Sequence, residues 1–478
     1  MLTFVTAFLD LHEDRSQDKS VDTCFQHFQK LANTGIPLIL FTSIVYIDKF
    51  GYLGDFPNVT VIPIELHDLL IYKQTEGIFG LPSNRTPHHD TRAFMILMNA
   101  KIEFIKRAMD FCNSSHLAWI DFSICHVFRH EKTLGYLQLL SKTHLVSSCS
   151  AFPGCWQKGD GYSQISSNVN WRFCGGFFLG DRAFLSKLFD LYMYAYPKII
   201  RDRGTCLWEV NVWHILEQEY GFTPGWFKAD HNDSIVRVPN SLISVVASLT
   251  TIPPRISGAC RATIDSLFGK VDHVYLSVAD NYMRFGGDVE IPSYFQEEPY
   301  KRFVTVVRGE DKGPAMKYLG ALPQIPENQW IFFCDDDQEY SSQLIEKMKE
   351  RVDEFCVYQN RFKVIQQTTS GGLIHGYVGN LIHRSLLNDL SVFPLPPCSF
   401  HVDDQWMSIY CFLKGIPIRA TGIEAYEAIF QKLYNNHELL GVESLSSLGT
   451  RDARVKELAA FFGVQFIENG GIKKIEFS

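Results

Sequence analysis

The sequence predicts an α/β protein of two tandem domains, each an open, mostly parallel sheet flanked by helices. Three observations predict it. Short β-branched or aromatic runs alternate with amphipathic stretches along the whole chain, the pattern of parallel strands joined by helical crossovers. The pattern restarts at Val238-Pro239-Asn240-Ser241, near the middle. Finally, 478 residues with 46% hydrophobic and 21% charged side chains suffice for two sizeable cores and exclude a disordered or fibrous chain. The expected domains are residues 1–238 and 241–478.

In the first half, strands are expected at Leu2–Leu11, Pro37–Ser43, Val59–Leu66 and Leu117–Phe122. Between Arg92 and Met109, the spacing of Phe94, Leu97, Met98, Ile105 and Ala108 predicts one amphipathic helix, N-capped by Asp90 or Thr91. In the second half, Leu242–Leu249 is a strand that ends in small and hydroxylated residues, like Phe4-Val-Thr-Ala-Phe8 in the first. Further strands are expected at Val271–Val278, Phe303–Val307 and Trp330–Cys334, with helices starting near Pro314, after Tyr340 and at Val402. Asp452–Phe462 reads as a helix stopped by Gly463, and Asn469-Gly470-Gly471 as the turn of a closing hairpin.

Composition also narrows the function. A net charge of −8 and a pI near 6.1 leave no basic footprint for a phosphate backbone, so no nucleic-acid partner is expected. Met1–Leu11 is apolar but lacks a basic leader and runs into Asp10, Glu13 and Asp14, which suits a first strand better than a secretion signal. No apolar run approaches the roughly 18 residues that span a bilayer, so no transmembrane segment and a cytoplasmic location are expected. The 12 cysteines show neither a C-x-x-C pair nor zinc-ligand spacing and read as free, mostly buried thiols.

In open parallel sheets, ligands bind beyond the carboxyl ends of the strands. The strand Trp330–Cys334 ends in Asp335-Asp336-Asp337. Like charges crowded there repel unless a cation offsets them, and carboxylate oxygens suit a hard divalent ion such as Mn²⁺ or Mg²⁺. Asp311-Lys-Gly-Pro314-Ala-Met-Lys317 is a turn into a helix whose free N–H groups and Lys317 could face a diphosphate, or it is a plain turn. Gly371-Gly372 and His375-Gly-Tyr-Val-Gly379 allow close backbone approach to a ligand or a tight core connection. Asp403 and Asp404 precede an apolar helix, as caps, as functional acids, or as both. The first half repeats this order faintly: Asp121 ends a strand, Gly175-Gly176 follow, and Glu209 opens an apolar helix. Lys101 falls on the apolar face of the Arg92–Met109 helix, where a charge must snorkel out or meet an anion.

Together, Ser248-Leu-Thr-Thr-Ile-Pro-Pro-Arg255, the Gly-Pro-x-x-Lys helix start, the Asp-Asp-Asp turn and the later Asp-Asp pair resemble a GT-A nucleotide-sugar glycosyltransferase over most of residues 242–430. The resemblance implies a GT-A-like, Rossmann-like fold in which Asp337, with Asp335, holds Mn²⁺ or Mg²⁺ against the donor diphosphate. It implies Asp404 as the base on the acceptor hydroxyl of an inverting enzyme, with Asp403 as rival. Thr250, Arg255, Asp280, Asp311 and Lys317 would line the donor pocket, and His437 is a further candidate ligand. The first half resembles the HtrL/YibB (WlaTC/HtrL) family through Phe4–Phe8, Pro87-His-His-Asp-Thr91, Met98–Glu103, Trp119-Ile-Asp-Phe122 and Cys174-Gly-Gly-Phe177. That family has a GT-A-like fold, which implies Thr6 and Lys101 on the donor side, Asp121 and His231 as metal ligands and Glu209 as base.

The expected function is a bifunctional hexosyltransferase, moving sugars from nucleotide-sugar donors, UDP-sugars first among them, to a glycan acceptor. One alternative keeps only the second site active, with the first domain binding acceptor. Others are a metal-dependent phosphoryl or nucleotidyl transferase, against which stands the missing G-x-x-x-x-G-K-[ST] loop, and a non-catalytic carbohydrate-binding protein, which would leave three flush acids without a role.

Overall fold

The computed structural model describes residues 1–11, 20–49, 51–360, 372–432, 450–469 and 472–478. His437, Gly371 and the turn residues Gly470 and Gly471 lie outside them. The chain divides into two compact units, Met1–Leu242 and Ile243–Ser478.

The first unit holds a seven-stranded sheet. Its strands are β1 (Leu2–Phe8), β2 (Leu38–Thr42), β3 (Val59–Pro63), β4 (His116–Ile120), β5 (Ser150–Gly154), β6 (Phe177–Asp181) and β7 (Trp226–Lys228). Their order across the sheet is β3-β2-β1-β4-β6-β5-β7. All neighbours are parallel except β6, which runs antiparallel to β4 and β5. β2 and β4 are buried throughout, as strands covered on both faces must be. Alternate residues feed two cores: Val5, Ile39, Phe41, Leu117 and Trp119 enter one, Phe4, Leu38, Leu40, Ala118 and Ile120 the other.

The second unit repeats the plan. Its strands are β8 (Val245–Thr250), β9 (His273–Ala279), β10 (Val304–Gly309), β11 (Trp330–Phe333), β12 (Gln338–Tyr340), β13 (Val357–Gln359), β14 (Asn380–His383), β15 (Ile418–Ala420), β16 (Ile429–Lys432), β17 (Val464–Asn469) and β18 (Ile472–Phe477). The main sheet runs β10-β9-β8-β11-β14-β13-β15, the order of the first domain, and β14 is again antiparallel to both neighbours. β12 pairs with β16, and β17 with β18, as two separate antiparallel ribbons. The final helix, Arg451–Phe462, ends at Gly463 with φ 64°, a left-handed cap that favours glycine.

One expected element differs. The Arg92–Met109 helix is two helices, Arg92–Asn99 and Lys101–Ala108, meeting at Ala100. Thr91 caps the first by accepting from Phe94 N–H at 3.1 Å. Asn99 is buried and donates to Met95 O at 2.6 Å and Leu207 O at 2.8 Å, competing for the helix's own carbonyls at the junction. The inward face accordingly carries Met95, Ile96 and Leu97, then Ile102, Phe104 and Ile105, while Phe94 and Met98 are only half-buried.

Among the described residues no helix is long and apolar enough to cross a membrane.

Candidate functional site

A cleft of about 260 Å³ opens at the carboxyl ends of β8 and β11 in the second domain. Each wall follows from the chain. β11 is wholly buried, so the residues after it emerge at the sheet edge and place Asp335, Asp336 and Asp337 on the cleft. The turn after β10 brings Asp311 and Lys317, the turn after β8 brings Thr250, Thr251 and Arg255, and the start of the Asp403–Leu413 helix brings Asp403 and Asp404.

Lys317 joins the two acid clusters. Its side chain is 4% exposed, and its Nζ lies 2.6 Å from Asp335 Oδ1, 2.9 Å from Asp403 Oδ2 and 3.6 Å from Asp404 Oδ1. Burial works against the ammonium, but Asp335, Asp403 and Asp404 outweigh it and hold its pKa well above the ordinary lysine value. Arg255 does the same for the rest of the turn, with Nη1 2.9 Å from Asp336 Oδ1 and 3.2 Å from Asp337 Oδ2. Asp336 also accepts from Thr251 Oγ1 at 2.6 Å, so this middle acid is spent on holding the turn.

The remaining acids are under strain. Burial, with Asp336 and Asp335 alongside, pushes Asp337 up to about 7. Burial, with Asp404 and Asp335 adding, pushes Asp403 up to about 6 against the pull of Lys317. Asp404 is raised by burial as well, and its Oδ2 accepts the Gly376 N–H at 2.9 Å. Gly376 lets the backbone lie close over the cluster, because a Cβ would stand 2.5 Å from Lys317 Nζ and 2.7 Å from Asp404 Oδ1 and force them to shift.

The other expected residues are placed as follows. Thr250 lines the cleft and donates its hydroxyl to Ser277 O at 2.8 Å. Asp311 lines it too, with its oxygens accepting from the Met283 and Gly313 N–H groups at 2.8 and 2.9 Å, a loop-shaping role. Asp280 is not among the lining residues; it is exposed and faces Arg308 at 4.0 Å. Tyr282, Phe400, His401 and Arg451 also line the walls and were not singled out in the sequence. Nothing local marks them: Arg451 opens the final helix, far along the chain, and only folding brings it here.

Oxygen donors alone face the cleft from Asp335 and Asp337, a set that suits a hard divalent cation. Arg255 Nε, His401 Nδ1 and Gln405 Oε1 are buried polar atoms without a protein partner, all from cleft-lining residues, as expected where a polar ligand completes the wall. These residues fit a metal and a charged ligand.

The first domain carries the same construction. Lys101, 1% exposed, neither snorkels out nor lies free. Its Nζ is 2.9 Å from Glu209 Oε1, 3.0 Å from Asp121 Oδ1 and 2.9 Å from Gly175 O. Burial opposes its charge, and Asp121 and Glu209 prevail and raise its pKa. Trp119 Nε1–H donates to Asp121 Oδ1 at 2.7 Å. A Cβ on Gly175 would lie 2.1 Å from Glu209 Oε1. Thr6 is buried, with its hydroxyl unpartnered. His231 is placed with Cys155 and Cys174, not in a shared group with Asp121.

No curated protein matches the chain in sequence. Among solved structures, mouse xyloside xylosyltransferase 1 in its apo form is similar at 9% identity, covering 48% of this chain and 84% of that one at a TM-score of 0.28. A 4-diphosphocytidyl-2C-methyl-D-erythritol synthase from Anaerococcus prevotii is similar at 9% identity, covering 43% and 98%, at 0.29. The galactosyltransferase LgtC, in complex with donor and acceptor sugar analogs, is similar at 11% identity, covering 48% and 73%, at 0.24. Over residues 1–203 the sequence matches the family described as a bacterial protein of unknown function, HtrL_YibB.

Proposed function

We propose that the protein is a glycosyltransferase of two GT-A-like domains, moving a hexose from a nucleotide-sugar donor, most simply a UDP-sugar, to a glycan acceptor. The observation that carries the reading is the meeting, across Lys317, of the Asp335–Asp337 turn with the Asp403–Asp404 helix start in one cleft.

In the second domain, Asp335 and Asp337 would hold Mn²⁺ or Mg²⁺, which when bound offsets the charge that develops on a departing nucleoside diphosphate. Asp404 takes the proton from the acceptor hydroxyl as that oxygen bonds to the anomeric carbon and the bond to the diphosphate oxygen breaks, an inverting displacement. Its burial supports this role, because a carboxylate with a raised pKa is a better base. Asp403 at about 6 is the rival. Lys317 keeps Asp335 and the Asp403–Asp404 pair within one hydrogen-bonded cluster in spite of their like charge. Arg255 and Thr251 fix the turn through Asp336, and Arg255 and Gln338 hold Asp337 beside it at the cleft.

The Lys101–Asp121–Glu209 cluster supports a second transfer site, with Glu209 as its base. Two sites on one chain raise the local concentration of an intermediate glycan for the second step. A cytoplasmic location belongs to the same proposal.

A panel of UDP-, GDP- and CMP-sugars, assayed for hydrolysis with Mn²⁺ and with EDTA, tests the reading. The wild type is expected to release one nucleotide only with metal, and Asp337→Ala to abolish that release. A second donor lost only in Asp121→Ala would establish the second site. Absence of both turnover and nucleotide binding would return the protein to the carbohydrate-binding class.

A further inference from the structure

We infer that the first domain carries a metal site for zinc or a similarly thiophilic divalent ion, built from Cys155, Cys174 and His231, with Asp230 behind the histidine. Their ligand atoms all lie within 4.8 Å of one another, and among the described residues this is the group of metal-ligating side chains that converges in this way.

Three chain segments meet to make it. The parallel pairing of β5 with β7 puts Gly154 opposite Lys228, and Ala229 N–H donates to Gly154 O at 2.9 Å, which carries Asp230 and His231 alongside Cys155. The 171–174 loop closes from the other side: Cys155 N–H donates to Trp171 O at 2.9 Å and Cys174 N–H to Pro153 O at 2.7 Å. Gly154 makes the approach possible, since a Cβ there would stand 1.9 Å from Arg172 O. Backbone hydrogen bonds thus hold the main chain at both cysteines.

The sulfur spacing speaks for a shared ion. Cys155 Sγ and Cys174 Sγ are 3.5 Å apart, and both cysteines are free. Two thiolates each about 2.3 Å from a tetrahedral zinc stand roughly 3.8 Å apart, close to the distance seen, whereas a disulfide needs about 2.05 Å. Asp230 Oδ1 lies 3.4 Å from His231 Nδ1 and 3.6 Å from Cys155 Sγ, the carboxylate partner that orients a ligating imidazole. Trp171 meets the His231 ring edge-to-face at 4.5 Å and fixes its plane. His231 is 41% exposed, so an ion can enter and water can take the fourth position. Two sulfurs and an imidazole select zinc over the oxygen-seeking Mg²⁺ or Mn²⁺ of the other domain's cleft.

The second domain shows the same backbone without the ligands. Thr421 N–H donates to Gln359 O at 2.9 Å, as Ala229 does to Gly154, but Asn360 follows where Cys155 stands, and Thr421 Oγ1 donates to its Oδ1 at 2.7 Å. A hydrogen bond closes there what an ion would close in the first domain. Cys174 precedes Gly175, whose carbonyl accepts from Lys101, so an ion would brace one wall of the Lys101 cluster.

The test is cobalt titration of the reduced, full-length protein, followed by absorption. The expected result is one equivalent bound with a thiolate-to-cobalt charge-transfer band and the d–d bands of a tetrahedral ion, displaced by zinc. Cys155→Ser and His231→Ala, both at accessible positions, should lose the tetrahedral spectrum. Asp230→Asn should bind roughly 10–100-fold more weakly. Asp337→Ala should leave it unchanged. An unaltered spectrum in Cys155→Ser overturns the site, as does no cobalt signal in the folded wild type. A mass lower by two hydrogens before reduction, with no cobalt signal after it, overturns it in favour of a disulfide.

Discussion

Lys101 and Lys317 are equivalent residues of the two domains. Each is buried, each ammonium joins the acid after the fourth strand of its sheet to an acid at the start of a later helix, and each is roofed by a glycine whose Cβ would press on the side chains of the cluster. The pairs are Asp121 and Glu209 in one domain, Asp335 and the Asp403–Asp404 step in the other. Identical strand orders place them alike. A costly buried cluster present twice points to use beyond stability, because buried ion pairs contribute little net stability over apolar residues of the same size.

Removing one partner is therefore expected to hurt more than removing all. Lys101→Met leaves the buried Glu209 without its ion partner and should destabilise the first domain by about 3 kcal/mol. Adding Asp121→Asn and Glu209→Gln should recover most of that loss. Urea unfolding followed by tryptophan fluorescence measures both; equal stability of the single variant and the wild type would contradict the ion-pair account.

Asp404→Asn should keep the fold and lower transfer about 10²–10⁴-fold, the usual contribution of a general base. Donor binding should stay within a few-fold, since the acid acts on the acceptor. If Asp403→Asn shows the larger loss instead, the base is the neighbouring carboxylate.

Gly376→Ala should separate structure from chemistry in another way. The new methyl would press on Lys317 Nζ and Asp404 Oδ1 and part them, while the backbone at this residue is of an ordinary kind. Turnover should fall with little change in melting temperature. Gly175→Ala, 2.1 Å from Glu209 Oε1, should act likewise on any activity lost in Asp121→Ala.

His214 should make the first domain acid-sensitive. It is buried, its Nε2 accepts from Gly159 N–H at 3.3 Å, and its Nδ1 is 3.0 Å from Asn170 Oδ1, which suits the neutral ring. Burial lowers its pKa below 6.5, with Arg172 and Lys158 also opposing the charge and Glu217 and Asp160 favouring it. The native state then binds fewer protons than the unfolded chain, so this stability is complete above pH 6.5 and is lost as pH falls below it toward the native value. Melting temperatures from pH 7 to 5 should fall less steeply for His214→Gln than for the wild type.

Much of this was legible in the sequence because it is local. Apolar runs ending in Asp121 and in Asp335-Asp336-Asp337 are strands whose next residues must emerge at a sheet edge, and Gly463 stops a helix by its own conformational freedom. The buried charge of Lys101 was visible as a conflict between residue type and helical position. Its resolution was not, because Glu209 lies over a hundred residues away in sequence and meets it only through the fold.

Spacing alone also separates Cys155, Cys174 and His231 so widely that no ligand motif forms, and only the β5–β7 pairing joins them. Likewise Asp280 sits at a strand end, as the sequence suggests, yet turns to Arg308. Hydrophobic pattern and turn chemistry thus determined two α/β domains and the strand ends where acids gather, since both act between near neighbours in the chain. Which charges pair, which acids stay under strain and which thiols share an edge were decided by the tertiary structure, because those energies depend on burial and distance between segments remote in sequence.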